Sequence, residues 1–162
     1  MSSPEELLEF LARLGIETHT YAHPPVFTVD ESRRLRGDLP GGHCKSLFLK
    51  DKNAELWLVV ALEHRKVDLK SLRRELRARK GLSFGSAELL MEILGVEPGA
   101  VTPFAVINDR DSRVRVVLDR EMLAIDPLNY HPLTNDRTTA ISPSDLTRFL
   151  TACDHDPTVL DF

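Results

Sequence analysis

The chain has little that would staple it together or place it in a membrane. It carries two cysteines, Cys44 and Cys153, among 162 residues, far apart and without a C-x-x-C spacing. A disulfide framework and a zinc knuckle are therefore excluded, and reduced thiols in a cytoplasm are the expectation. No apolar run approaches the roughly 18 residues that a membrane helix needs. The N-terminal MSSPEELLEF is acidic instead of a basic segment ahead of an apolar stretch, so neither secretion nor insertion is expected. There is no G-x-S-x-G elbow and no G-x-x-x-x-G-K-[ST] loop, which leaves a serine hydrolase or P-loop nucleotidase unsupported. His43, His64, His155 and the two cysteines form no ligand spacing, and His19 with His23 falls on extended and Pro-Pro structure, so no metal is expected. There is also no excess of positive charge: 21 basic against 25 acidic residues give a net −4, which argues against a protein that coats nucleic acid, DNA included.

What remains is an ordinary globular composition, 42% hydrophobic and 28% charged, with no repeat or linker. A chain of this length buries about 70% of its unfolded surface, and one domain over 1–162 is expected. Ser2 or Ser3 caps a helix from Pro4 that carries Leu7, Leu8, Leu11 and Leu14 on one stripe and stops at Gly15. Thr18 to Ala22 alternates as a strand, and Val29 to Arg36 reads as a short helix ended by Gly37. His43 to Lys50 and Glu55 to Leu62 form an antiparallel hairpin about a polar turn. Asp68 caps a helix through Arg79, and Ser86 opens another that ends at Gly95. Phe104 to Asn108 and Arg113 to Leu118 read as a second hairpin. Two extended pieces fill Asn129 to Ile141, and Ser142 starts a last helix to Cys153. Strands arriving as hairpins point to an α+β (mixed α/β) domain with an antiparallel-rich central sheet flanked by helices.

Five features could carry chemistry. Period two puts Lys45 on the face of Leu47 and Leu49, where its ammonium either snorkels to the sheet edge or meets an anion in a cleft. The segment Gly99-Ala100-Val101-Thr102-Pro103 is either a simple turn or a stiffened loop whose backbone meets a ligand. His131, held extended by Pro132, can move a proton near neutral pH, and Asn108 is either a turn former or an amide that reads hydroxyls. Between His64 and Lys80 stand eight basic residues, including Arg65, Lys66, Lys70, Arg73, Arg74 and Arg77, against two acidic ones. That local +6 leaves −10 for the remainder, and it is either a solvated helix face or the footprint of one phosphate backbone.

Taken together, His23-Pro-Pro-Val-Phe-Thr-Val-Asp-Glu31, Cys44-Lys-Ser-Leu-Phe-Leu-Lys-Asp51, Val67-Asp-Leu-Lys70, Leu82-Ser-Phe84, Gly95 to Phe104, Ile107-Asn-Asp109 and His131 to Ile141 resemble the YbaK-like family. That family comprises the prolyl-tRNA synthetase editing domain and its free-standing relatives. The likeness is greatest to the free-standing alanyl-tRNA(Pro) deacylase branch and runs to Val159-Leu-Asp-Phe162. Ser46 departs from a common asparagine, and Gly85 and Ala87 stand where Ala and Pro often occur.

The resemblance implies a trans-editing hydrolase without cofactor that frees alanine from mischarged tRNA(Pro). Lys45 would be the family's essential catalytic lysine, held near the terminal adenosine, and Gly99 to Pro103 would be the family's G-x-x-x-P loop that positions the ester, with Asn108 and His131 in the pocket motifs. The implied partners are the acceptor end of aminoacylated tRNA(Pro) and, transiently, prolyl-tRNA synthetase. Two alternatives stand beside it: the same chemistry on Cys-tRNA(Pro) or a Ser- or Thr-charged tRNA, and a non-catalytic module that binds an acceptor end.

Overall fold

The structure, a computed structural model, describes residues 1–25 and 39–162. The helix expected over Val29 to Arg36 lies outside the described residues. Helix α1 spans Pro4–Arg13, and its start is a reciprocal cap: Ser3 Oγ accepts from Glu6 N while Glu6 returns a carboxylate to Ser3 N. Leu7 and Leu11 are its buried stripe.

Eight strands form one sheet: β1 (His19–Ala22), β2 (Gly42–Lys50), β3 (Leu56–Leu62), β4 (Ser83–Phe84), β5 (Val114–Asp119), β6 (Leu128–Tyr130), β7 (Arg137–Ile141) and β8 (Thr158–Leu160). The order is β1-β7-β6-β2-β3-β5-β8, with β4 beside the far end of β2. The expected β2–β3 hairpin is present, Cys44 facing Leu62 and Lys50 facing Leu56. Antiparallel ladders also join β1 to β7, β7 to β6 and β4 to β2, whereas β6–β2, β3–β5 and β5–β8 are parallel. The sheet is mixed, as a fold with helices on both faces requires at its centre.

The second hairpin is not formed. Residues Pro103–Asn108 wind into a 3-10 helix, because Thr102 caps its start through Phe104 N and Pro103 fits the first helical position. β5 pairs in parallel with β3 instead. The helix expected through Arg79 spans Leu69–Leu76 (α2) and ends on Arg77, which takes the left-handed conformation at φ 55°. Helix α3 (Ala87–Leu94) ends on Gly95 as expected, and α4 covers Pro143–Ala152.

β3 is buried along its whole length because both faces are covered. Leu56, Leu58, Val60 and Leu62 join the larger core with α1, α3 and α4, while Trp57 and Val59 meet Leu49, Val117 and Leu72 of α2 on the other side. Among the described residues no helix is long and apolar enough to cross a membrane. One glycine fixes the part of the sheet that matters most here. Gly41 has φ +100°, and a Cβ on it would stand 2.2 Å from the carbonyl oxygen of Pro127, so only glycine lets β2 enter beside β6.

Candidate active site

Where β2 enters along β6, His43 lies opposite Asn129 and the two strands wall a small cleft. His43, Cys44 and Ser46 come from β2, Asn129, Tyr130 and His131 from β6 and its exit, Thr138 from β7, and Val101 from the loop after α3. Its volume is about 50 Å³, room for a few waters or a small aliphatic group and far below a drug-sized pocket.

Backbone contacts set the chemistry of His131. Its Nδ1 lies 2.9 Å from the carbonyl oxygen of Arg137, which can only accept, so the neutral ring carries its proton on Nδ1 and leaves Nε2 with a free lone pair. Burial holds its pKa below the ordinary histidine value; the Arg137 carbonyl opposes this and nearby His23 adds to it. The imidazole is therefore neutral at neutral pH, a proton acceptor at Nε2. His23 stands beside it with ring centroids 6.1 Å apart, its Nδ1 donating to the Pro24 carbonyl at 2.8 Å. Nε2 of His23 meets the Thr138 hydroxyl at 2.8 Å.

Asn129 also lines the cleft. Its amide nitrogen donates to the carbonyls of Pro40 and Gly42 at 3.0 and 3.1 Å, which fixes the flip of the group. Its Oδ1 is buried with no hydrogen-bond partner. Such an oxygen costs about 1–3 kcal/mol until a donor reaches it. The thiol and phenol at the cleft are not nucleophiles: burial pushes Cys44 up to about 12 and raises Tyr130 well above its usual value. Among the described residues no three His, Cys, Asp or Glu side chains stand together as a metal site.

The residues expected from sequence are not all gathered here. Lys45 takes the face that period two assigns it, with Leu47 and Leu49, and its ammonium donates to the Arg65 carbonyl instead of lining the cleft. Gly99 and Ala100 lie in a 3-10 turn, Val101 lines the cleft, and Thr102 and Pro103 are buried as the start of the next turn. Asn108 is spent on structure: Oδ1 accepts from Ser2 N and Nδ2 donates to Leu94 O, both at 2.8 Å, tying the start of the chain to the end of α3. His131 is in the cleft.

The basic run divides. Lys66, Lys70, Arg73, Arg74 and Arg77 are exposed, but Arg65 is drawn inward by Glu121, by Asp119 at 3.5 Å and by the main-chain oxygen of Phe162 at 2.7 Å. Arg65 is thereby withdrawn from the surface patch. Sequence reasoning did not single out Asn129 or Thr138, whereas Ser46 was marked as a departure from a common asparagine; the signal available for Asn129 was its place two residues before His131, which puts both on one face of an extended strand.

The model of the aminoacyl-tRNA editing domain matches residues 23–149. The chain is 42% identical over 160 residues to the prolyl-tRNA synthetase associated domain-containing protein 1 of Danio rerio, covering 98% of this chain and 86% of that one. It is 33% identical to the prolyl-tRNA editing protein ProX of Acetoanaerobium sticklandii, covering 94% and 93%. A solved structure of a candidate trans-editing enzyme for prolyl tRNA synthetase superposes with a TM-score of 0.72 at 17% identity, over 99% of this chain and 97% of that one, a likeness of fold.

Proposed function

Since the chain belongs to the aminoacyl-tRNA editing domain family, we propose that it is a trans-editing deacylase that hydrolyses the ester of alanine mischarged onto tRNA(Pro). The observation that carries this is the size of the cleft beside His131: about 50 Å³ suits a methyl side chain and is tight for a pyrrolidine ring. A synthetic site shaped for proline rejects a smaller side chain by only about 1–3 kcal/mol per missing methylene. A second site that admits the smaller group and excludes the larger supplies the remaining discrimination.

The reaction needs a water whose oxygen attacks the ester carbonyl carbon, after which the bond to the ribose oxygen breaks and that oxygen takes a proton. His131 Nε2, unprotonated at neutral pH, orients this water and accepts its proton. The Gly99 to Pro103 loop, stiffened at both ends by its turns, holds the ester against the cleft through Val101. Lys45 acts as a charge anchor for the terminal phosphate or ribose and not as a nucleophile, from the face of β2 opposite Cys44 and Ser46. The names of the relatives support tRNA(Pro) as the nucleic acid and a transient encounter with prolyl-tRNA synthetase. The free thiols of Cys44 and Cys153 fit work in a reducing cytoplasm.

The test is a deacylation panel: tRNA(Pro) charged with alanine or cysteine, and tRNA(Ala) charged with alanine. Faster loss from Ala-tRNA(Pro) than from the other two supports the assignment. Preference for Cys-tRNA(Pro) moves the amino acid, equal loss from Ala-tRNA(Ala) removes the tRNA preference, and no loss from any leaves a binding module.

A further inference from the structure

Beside His131 in the cleft stands a hydroxyl that the hydrolysis leaves unused. The β6–β7 ladder runs from Leu128 opposite Ile141 to Tyr130 opposite Thr139, so its next step sets His131 opposite Thr138. Successive residues of β7 point to opposite faces. Thr139 is fully buried and shares its hydroxyl with Thr20 at 2.8 Å, whereas Thr138 is half-buried and lines the cleft. On the side of β1, Tyr21 lies opposite Thr138, and His23, just past the end of that strand, brings its ring to the Thr138 hydroxyl. The main chain fixes His23 there, its N–H donating to Asp136 O at 2.9 Å.

That ring decides which way the hydroxyl works. Nδ1 of His23 is 2.8 Å from the Pro24 carbonyl, which only accepts, so the one proton of the neutral ring sits on Nδ1. Nε2 then has a lone pair, and at 2.8 Å it takes the proton of the Thr138 hydroxyl. A hydroxyl has one proton to give and two lone pairs. With the proton committed to His23, Thr138 Oγ1 offers the cleft acceptance only. Among the described residues no carboxylate lines the cleft, and His131 Nε2 is engaged with the attacking water.

We propose that Thr138 Oγ1 is the subsite for the α-amino group of the bound aminoacyl ester, and that His23 is the positioning residue that keeps this oxygen an acceptor. The assignment rests on the editing reading and adds what holds the amino acid by its amine. Amine and methyl leave the same carbon of alanine, so a methyl seated in a cleft of about 50 Å³ brings the amine to the cleft wall, whereas the ribose hydroxyls lie beyond the ester oxygen. Residues directly opposed on antiparallel strands stand about 5 Å apart at Cβ. One small ester therefore spans both, its amine on Thr138 and its carbonyl carbon beside the water on His131. A neutral oxygen holds the amine by a hydrogen bond instead of a full ion pair, which suits an enzyme that releases free alanine.

The test sets two esters against the wild type and four variants: Thr138→Val, Thr138→Ser, His23→Ala, and His23→Ala with Thr138→Val. Single-turnover hydrolysis is followed for tRNA(Pro) carrying alanine and for tRNA(Pro) carrying propionate, which is alanine without its amine. Comparing proteins within each ester cancels the difference in intrinsic reactivity. Thr138→Val is expected to slow alanyl hydrolysis by about tenfold or more and propionyl hydrolysis by less than about twofold, and Thr138→Ser to restore most of the alanyl rate. The unchanged propionyl rate also reports that the variants fold. His23→Ala slows alanyl hydrolysis alone and by less, and the double variant is no slower than Thr138→Val, because His23 acts only through that hydroxyl. Equal losses on the two esters, or additive losses in the double variant, would overturn the assignment. Binding is measured beside turnover, as the affinity of the non-hydrolysable amide 3′-alanylamino-3′-deoxyadenosine against its propionyl counterpart in the same proteins. An amine preference that Thr138→Val abolishes, in a wild type that cleaves neither ester, upholds the subsite and removes the editing reading. A wild type without amine preference in binding overturns the subsite whatever the esters do.

Discussion

The Nδ1 of His131 donates to the main-chain oxygen of Arg137 at 2.9 Å, and that bond decides which nitrogen of the ring is free to act. The acceptor is a carbonyl in β7, the strand that pairs with β6, so the tautomer is set by sheet register and not by another side chain. A one-residue slip of β7 would remove it.

The first prediction follows from the protonation state. The active ring is neutral, and burial holds its pKa below the ordinary 6.5, so deacylation stays on its plateau at neutral pH and falls only as the pH drops below that value. His131→Ala lowers the rate by about 10²- to 10⁴-fold and flattens this acid limb. A pH–rate profile of both proteins checks it, and a wild-type midpoint above 7 would remove His131 as the proton acceptor.

Lys45→Ala is expected to abolish deacylation while the far-ultraviolet circular dichroism stays native. The lysine makes one hydrogen bond, to the Arg65 carbonyl, so its loss costs about 1 kcal/mol of stability and a few degrees in Tm. Full activity in this variant would take the lysine out of the mechanism.

A third prediction concerns stability alone. His155 Nε2 and Asp109 Oδ2 lie 2.9 Å apart and both side chains are buried. Burial pulls against ionisation of each, but their mutual bond prevails, with the Cys153 carbonyl helping His155 and the amides of Arg113 and Val114 helping Asp109; the histidine is raised and the aspartate lowered. The raised histidine contributes stability below about pH 6.5 that is lost as pH rises through its folded value, and the lowered aspartate contributes above about pH 4 what is lost as pH falls. The pair therefore stabilises most between about pH 4 and 6.5. Asp109→Asn costs about 3–5 kcal/mol there, by urea denaturation, and narrows the difference above pH 7. A variant whose deficit grows above pH 7 would contradict this linkage.

Much of the frame was legible because its signals are local. The caps at Ser3, Asp68, Ser86 and Ser142 each bond the backbone as their residue types predict. The β2–β3 hairpin and the face taken by Lys45 follow from period two. Phe104 to Val106 misled because three buried apolar residues in a row carry no period, and Thr102 with Pro103 then decides for a helix. Arg65 was unreadable as an inward residue because its acids, Asp119 and Glu121, come more than 50 positions later. The same holds for Asn108, whose partners Ser2 and Leu94 are set by tertiary packing, and for the orphan oxygen of Asn129, which only its two carbonyl neighbours expose.

The central claim is that a small cleft beside His131 accepts alanine and refuses proline on the same tRNA. The direct measurement is single-turnover ester loss from tRNA(Pro) charged with alanine and, separately, with proline, at equal enzyme excess. Alanine leaving at least a hundredfold faster than proline is the predicted result; proline leaving as fast as alanine would contradict the account.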